Sequence, residues 1–103
     1  MSDVYITGIE MIPFGKYPHR TPASLGAEAA LGALDDAGIT VKDVQTAYCG
    51  CVFQSMMGQR VFQQIGQTGI PIANVTNACA TGATAVREAW MAIRTGDYDI
   101  ALA

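Results

Sequence analysis

Val4 to Ile9 alternates β-branched and small residues, the two-residue period of a strand. Met11 to Pro22 breaks that period with three of the four prolines and an isolated His19 and Arg20, which predicts an irregular loop. Thr21-Pro22 then starts a helix, with Thr as N-cap and Pro at the first helical position. Ala27, Ala30, Leu31 and Leu34 recur at i, i+3, i+4 and i+7 as its apolar face, opposite Ser24, Glu28 and Asp35, and Gly38 stops it. After a connection through Ile39 to Asp43, Val44 to Phe53 predicts a second strand, Gln54 to Gly58 a loop, and Gln59 to Thr68 a helix ended by Gly69. Pro71 leads into a short apolar strand, Ile72 to Thr76. Asn77-Ala78-Cys79-Ala80-Thr81-Gly82 turns into a second long helix. Its expected buried stripe is Ala83, Val86, Trp90 and Ile93, with Arg87, Glu88 and Arg94 facing away. Gly96 ends that helix, and Ile100 to Ala103 begins another apolar run.

Strands and helices alternating in this order predict an α/β domain with a mostly parallel sheet, joined by helical crossovers and covered on both faces. The last apolar run has no polar cap and no covering helix. Residues 1–103 therefore have the pattern of a partial domain, the first part of a longer chain cut within a strand.

Composition sharpens this picture. A chain of 103 residues holds one small domain, and 50% hydrophobic with 15% charged residues excludes a disordered one. Sixteen Ala and 11 Gly suit elements that approach closely. Nine acidic against six basic residues give a net charge of -3 and no dense basic patch, which disfavours nucleic acid as a partner. Met1 to Glu10 lacks the basic start and apolar run of a signal peptide, and no apolar stretch approaches the ~20 residues of a membrane span. With three Cys, an odd number, the expected setting is a reducing cytoplasm with free thiols and no membrane.

Among residues able to carry chemistry, Cys79 stands out. The predicted elements put it at a strand-to-helix turn, where unpaired backbone N–H groups and the helix dipole favour a thiolate. Its neighbours Ala78, Ala80 and Gly82 are small enough to admit a substrate carbonyl, in the manner of a nucleophile elbow. Local context leaves this reading beside a structural one, a free Cys packed as a small hydrophobe. Cys49 and Cys51 lie two apart on a predicted strand and so share a face; without further ligands at metal spacing they read as core residues. His19 is a possible base for Cys79, but nothing in the sequence places the Pro-rich loop beside it. Asp35-Asp36 and Asp97/Asp99 fall at element boundaries and read as turn chemistry. Met56-Met57 in the loop before Gly58 hints at an interface. The glycines form neither a G-x-G-x-x-G nor a Walker pattern, so a phosphate cradle has no support.

The run Asn74-Val75-Thr76-Asn77-Ala78-Cys79-Ala80-Thr81-Gly82-Ala83-Thr84-Ala85-Val86 resembles the nucleophile segment of the thiolase superfamily, in particular its sterol-carrier-protein and archaeal (acetyl-CoA acetyltransferase-like) branches. Cys51-Val52-Phe53-Gln54, Gly58-Gln59-Arg60 and Gly69-Ile70-Pro71 are similar to the thiolase strand, interface loop and helix that precede it. The opening Val4-Tyr5-Ile6-Thr7-Gly8 with Pro13-Phe14-Gly15, and the closing Gly96-Asp97-Tyr98-Asp99-Ile100-Ala101-Leu102-Ala103, resemble the family as well. The resemblance implies a layered αβαβα fold, of which only the first part of the N-terminal half is present. It implies acyl transfer on acyl-CoA through a Cys79 thioester, with coenzyme A thioesters as substrates and no bound cofactor or metal. It also implies a homo-oligomer, dimer or tetramer, with the Ile72 to Thr76 strand near the two-fold and the Gln54 to Gly58 loop near the partner.

The family's activating His, its oxyanion site and its second Cys map to no residue up to Ala103, so the isolated chain is expected to be inactive and marginally stable or aggregated. Two other readings share the fold. One is a carbon–carbon lyase performing retro-aldol cleavage of a hydroxyacyl-CoA, with a possible partner subunit. The other is a non-catalytic lipid-transfer protein. A ketoacyl synthase fits the Gly58-Gln59 and Gly69-Ile70-Pro71 context less well.

Overall fold

The computed structural model describes residues 2–103. Helix α1 (Pro22–Ala37) forms where its boundary residues predict. The Thr21 hydroxyl accepts the Ser24 N–H at 3.1 Å, and Gly38 closes the helix at φ 73°, a conformation that glycine reaches without strain. Its buried stripe is Ala23, Ala27 and Leu34, with Ala30 packed beside them. Leu31, expected on that face, sits about 70° around from the centre of the stripe and is 50% exposed.

A 3-10 turn (Val41–Asp43), boxed by Thr40 and Asp43, leads into β1 (Thr46–Gly50). Then follow α2 (Met57–Ile65), β2 (Ile72–Val75), a second 3-10 turn (Ala78–Ala80), α3 (Thr81–Arg94) and β3 (Ala101–Leu102). The sheet is parallel, in the order β2-β1-β3, with Cys49 opposite Asn74 and Thr46 opposite Ala101. Ala47 and Cys49 point toward α1 and α2, where they join Leu34, Val44 and Phe62 on one side and Ala23, Ala27, Met57 and Val61 on the other. Gly50, of opposite parity, faces α3. The central strand is thus covered on both faces, as the alternation of elements predicts.

Four further expectations are corrected. Val4 to Ile9 forms no strand among the described residues. A strand needs a ladder partner, and this segment runs along α1 instead. Gly8 lies so close that a Cβ there would sit 2.3 Å from the Ala33 carbonyl oxygen, and the Ile9 N–H donates to Asp36 Oδ2 at 2.9 Å.

The second correction is the length of β1. Its ladder ends at Gly50 because β2 ends at Val75, and Val52 to Ser55 leave as an irregular loop.

Third, α2 starts before Gln59 and stops at Gly66, whose N–H returns to the Phe62 carbonyl at 2.8 Å. No local residue caps its start; Asn74 of β2, on the face of the sheet that α2 covers, does so, its Oδ1 accepting the Gly58 N–H at 2.7 Å.

The fourth concerns α3, which presents the opposite face from the one expected. Thr81, Ala85, Ala89 and Ala92 are buried, whereas Val86 is 53% and Trp90 42% exposed. The two stripes lie about 120° apart. Close approach decides between them. A Cβ on Gly50 would come within 2.5 Å of Thr81 Cγ2, so only small residues fit where α3 crosses β1. Trp90 lies under the Arg94 guanidinium, 5.4 Å from its ring centroid. No helix among the described residues is long and apolar enough to cross a membrane.

Candidate active site

The carboxyl ends of β1 and β2 meet where the chain turns into α3. The Thr76 hydroxyl donates to the Cys51 carbonyl at 2.8 Å and ties the two strand ends together. From there the backbone passes through Asn77 to Ala78 at φ 46°, a left-handed value that residues with a β-carbon avoid. Cys79 follows at once, in the middle of the 3-10 turn, and is exposed. The reversal at Ala78 lifts it out of the strand direction and onto the surface. Ala78 and Ala80 beside it are small, and the space where a side chain at Gly82 would stand is open. No side chain caps α3; the Ala80 and Thr81 N–H groups at its start donate to the Asn77 and Ala78 carbonyls.

Hydroxyl groups stiffen the turn. Thr81 Oγ1 accepts the Asn77 N–H at 2.8 Å and donates to the Ala78 carbonyl at 2.7 Å. Asn77 Nδ2 donates to Thr84 Oγ1 at 3.1 Å, and that hydroxyl donates to the Ala80 carbonyl at 2.8 Å. Sequence reasoning singled out Cys79 and missed these supports. The signal for them was a Thr two residues past Cys79 and a glycine on the facing strand.

None of the other residues weighed for chemistry hydrogen-bonds to Cys79 among the described residues. Cys49 and Cys51 pack on the α1/α2 side of the sheet against Ala23, Ala27, Met57 and Val61, as a shared strand face predicts. Burial, and then the charge of the neighbouring Cys51, push the Cys49 thiol above its ordinary range. Fewer Cys49 thiols are ionised at a given pH, so its alkylation should climb about tenfold per pH unit into that raised range. With iodoacetamide at pH 8, peptide mapping is expected to find Cys79 modified at least about ten times faster than Cys49. Labelling of Cys49 first would contradict the packing described. His19 is exposed in the turn before α1, and no hydrogen bond among the described residues joins it to Cys79. Met56 and Met57 part company: Met57 is buried in the core, and Met56 is exposed at φ 55°.

The profile of the family described as "Thiolase, N-terminal domain" matches residues 4–103. Sterol carrier protein 2 of Homo sapiens is 41% identical over 105 residues, covering 97% of this chain and 19% of that protein. An acetyl-CoA acetyltransferase of Methanothermobacter thermautotrophicus is 32% identical over 109 residues, covering all of this chain and 28% of that protein. The chain thus spans well under a third of the relatives it matches. Among solved structures, the OleA H285D protein of Xanthomonas campestris superposes with a TM-score of 0.71 over 80% of this chain and 26% of its own, at 18% identity. That likeness concerns the fold.

Proposed function

Because the chain belongs to the thiolase family, over that family's N-terminal domain, we propose that the intact protein is an acyltransferase acting on acyl-CoA and that Cys79 is its nucleophile. The observation that carries this reading is the exposed Cys79 on a left-handed turn at the start of α3, which no side chain caps. The Cys79 thiolate adds to the thioester carbonyl, and the bond from that carbon to the CoA sulfur breaks. CoA leaves as the thiol, carrying the proton that the cysteine gave up, and the acyl group stays on Cys79 as a thioester. One thioester replaces another of similar energy, so the half-reaction runs both ways. The positive end of α3 stabilises negative charge that develops as the carbonyl is attacked. The same reading has two copies associate along β2, an edge strand whose Ala73 and Asn74 are exposed, with the Gln54 to Gly58 loop near the partner.

The similarity to sterol carrier protein 2 favours a second reading, lipid transfer without covalent chemistry. Isotope exchange separates the two. With acyl-CoA and labelled CoA but no second substrate, the acyltransferase moves label into acyl-CoA at enzymatic rates, and a non-covalent carrier does not. Label confined to free CoA in the intact protein would overturn the acyltransferase reading.

A further inference from the structure

We infer that Thr81 is the positioning residue for Cys79: its hydroxyl clamps Asn77 and Ala78 so that Ala78 keeps the left-handed conformation that presents the sulfur. The inference builds on the acyl-transfer reading for its substrate. A residue with a β-carbon does not hold φ 46° unaided, so something must over-determine it. Thr81 Oγ1 does so from both ends of the two-residue segment, taking the Asn77 N–H at 2.8 Å and giving its own proton to the Ala78 carbonyl at 2.7 Å. The clamp is seated rather than floating. Thr81 is 7% exposed, and its methyl group lies against Gly50 of β1, where any β-carbon would intrude to 2.5 Å. Gly50 thus supplies the space, Thr81 fills it, and the hydroxyl fixes the turn relative to the central strand. Thr84 differs: it is less buried, and it holds the Asn77 side chain and the Ala80 carbonyl, leaving the backbone of Ala78 untouched.

The test uses the intact protein and four variants: Thr81→Val, Thr81→Ser, Ala78→Gly and the Ala78→Gly/Thr81→Val pair. Two quantities are read, the rate at which acetyl-CoA acylates Cys79 and the hydrogen-exchange protection of the Asn77 amide. Thr81→Val keeps the methyl seat and loses the hydroxyl. It is expected to slow acylation about 30- to 100-fold, the scale of a nucleophile displaced by roughly an ångström, and to lose Asn77 protection. Thr81→Ser keeps both within about threefold of the parent. Adding Ala78→Gly to Thr81→Val recovers at least about tenfold in acylation, because glycine adopts the left-handed conformation without a clamp. A purely structural role for Thr81 would give no such recovery. Parent-like acylation in Thr81→Val overturns the inference, and so does a loss that the glycine fails to restore. Should acetyl-CoA leave Cys79 of the parent unmodified while Asn77 protection still depends on Thr81, the acyl-transfer reading falls and takes the positioning role with it. The hydrogen-exchange result then tells that failure from failure of the clamp itself.

Discussion

Replacing Cys79 by Ser in the intact protein is expected to lower acyl transfer by roughly 10⁴-fold or more, without shifting the melting temperature. Both halves follow from the same geometry. Cys79 is exposed in the 3-10 turn, and the hydrogen bonds recorded there run through the Asn77, Ala78 and Ala80 backbone and the Thr81 and Thr84 hydroxyls. The turn therefore survives the substitution. The alcohol that replaces the thiol is a far weaker acid, so it offers almost no anion to attack a thioester. An ester would also be slow to return the acyl group to CoA, which stalls the reverse half-reaction. A variant that retained a tenth of the parent activity would mean that Cys79 does not carry the acyl group. Steady-state turnover alongside thermal melts reads both quantities.

The largest stability effect is expected at Phe62. Phe62 is 3% exposed and clusters with Leu34 of α1, Val44, and Ala47 of β1, with Ile65, Ile70, Ile72 and Leu102 around the margin. Residues from both edge strands, Ile72 of β2 and Leu102 of β3, pack against this cluster. Phe62→Ala removes the ring and leaves a cavity among residues held by three elements, which limits how far the site can collapse. The expected cost is about 3–5 kcal/mol, read by denaturant titration with the slope monitored. A loss below about 1 kcal/mol would contradict the role of Phe62 as the centre of that cluster.

How far the fold was legible follows from where each element takes its instructions. α1 could be read almost to the residue, because Thr21, Pro22 and Gly38 are local signals and the helix obeys them. That the sheet is parallel was legible because helical patterns separate the strands in sequence; the order β2-β1-β3 was not. Other features are written across the chain. The start of α2 depends on Asn74, sixteen residues ahead in sequence, so no reading of Met56 and Met57 alone could place it. The buried face of α3 is chosen by Gly50, because the strand offers room for Thr81 and Ala85 where the bulkier Val86 and Trp90 would not fit. A hydrophobicity pattern ranks Trp above Ala and so selects the opposite side. Val4 to Ile9 carries strand-forming residues, yet composition supplies no partner, and its backbone turns to Asp36 and α1.

The site divides along the same line. Cys79 and its small neighbours were legible because the chemistry of a strand-to-helix turn is local. The left-handed Ala78 and the hydroxyl clamp were not, since each depends on how α3 seats against β1. Glycine in a strand and threonine at the start of a helix are individually ordinary. Their juxtaposition, so close that Gly50 has no room for a β-carbon beside the Thr81 methyl group, is what gives them a role.

The most direct measurement is peptide mapping of the intact protein after brief exposure to acyl-CoA of several chain lengths, quenched in acid to preserve thioesters. Acyl transfer through Cys79 predicts one acyl group per protomer on the peptide containing Cys79, removed by added CoA, with the peptide containing Cys49 and Cys51 unmodified. No acyl group on any cysteine, or one on Cys49 or Cys51, would contradict it.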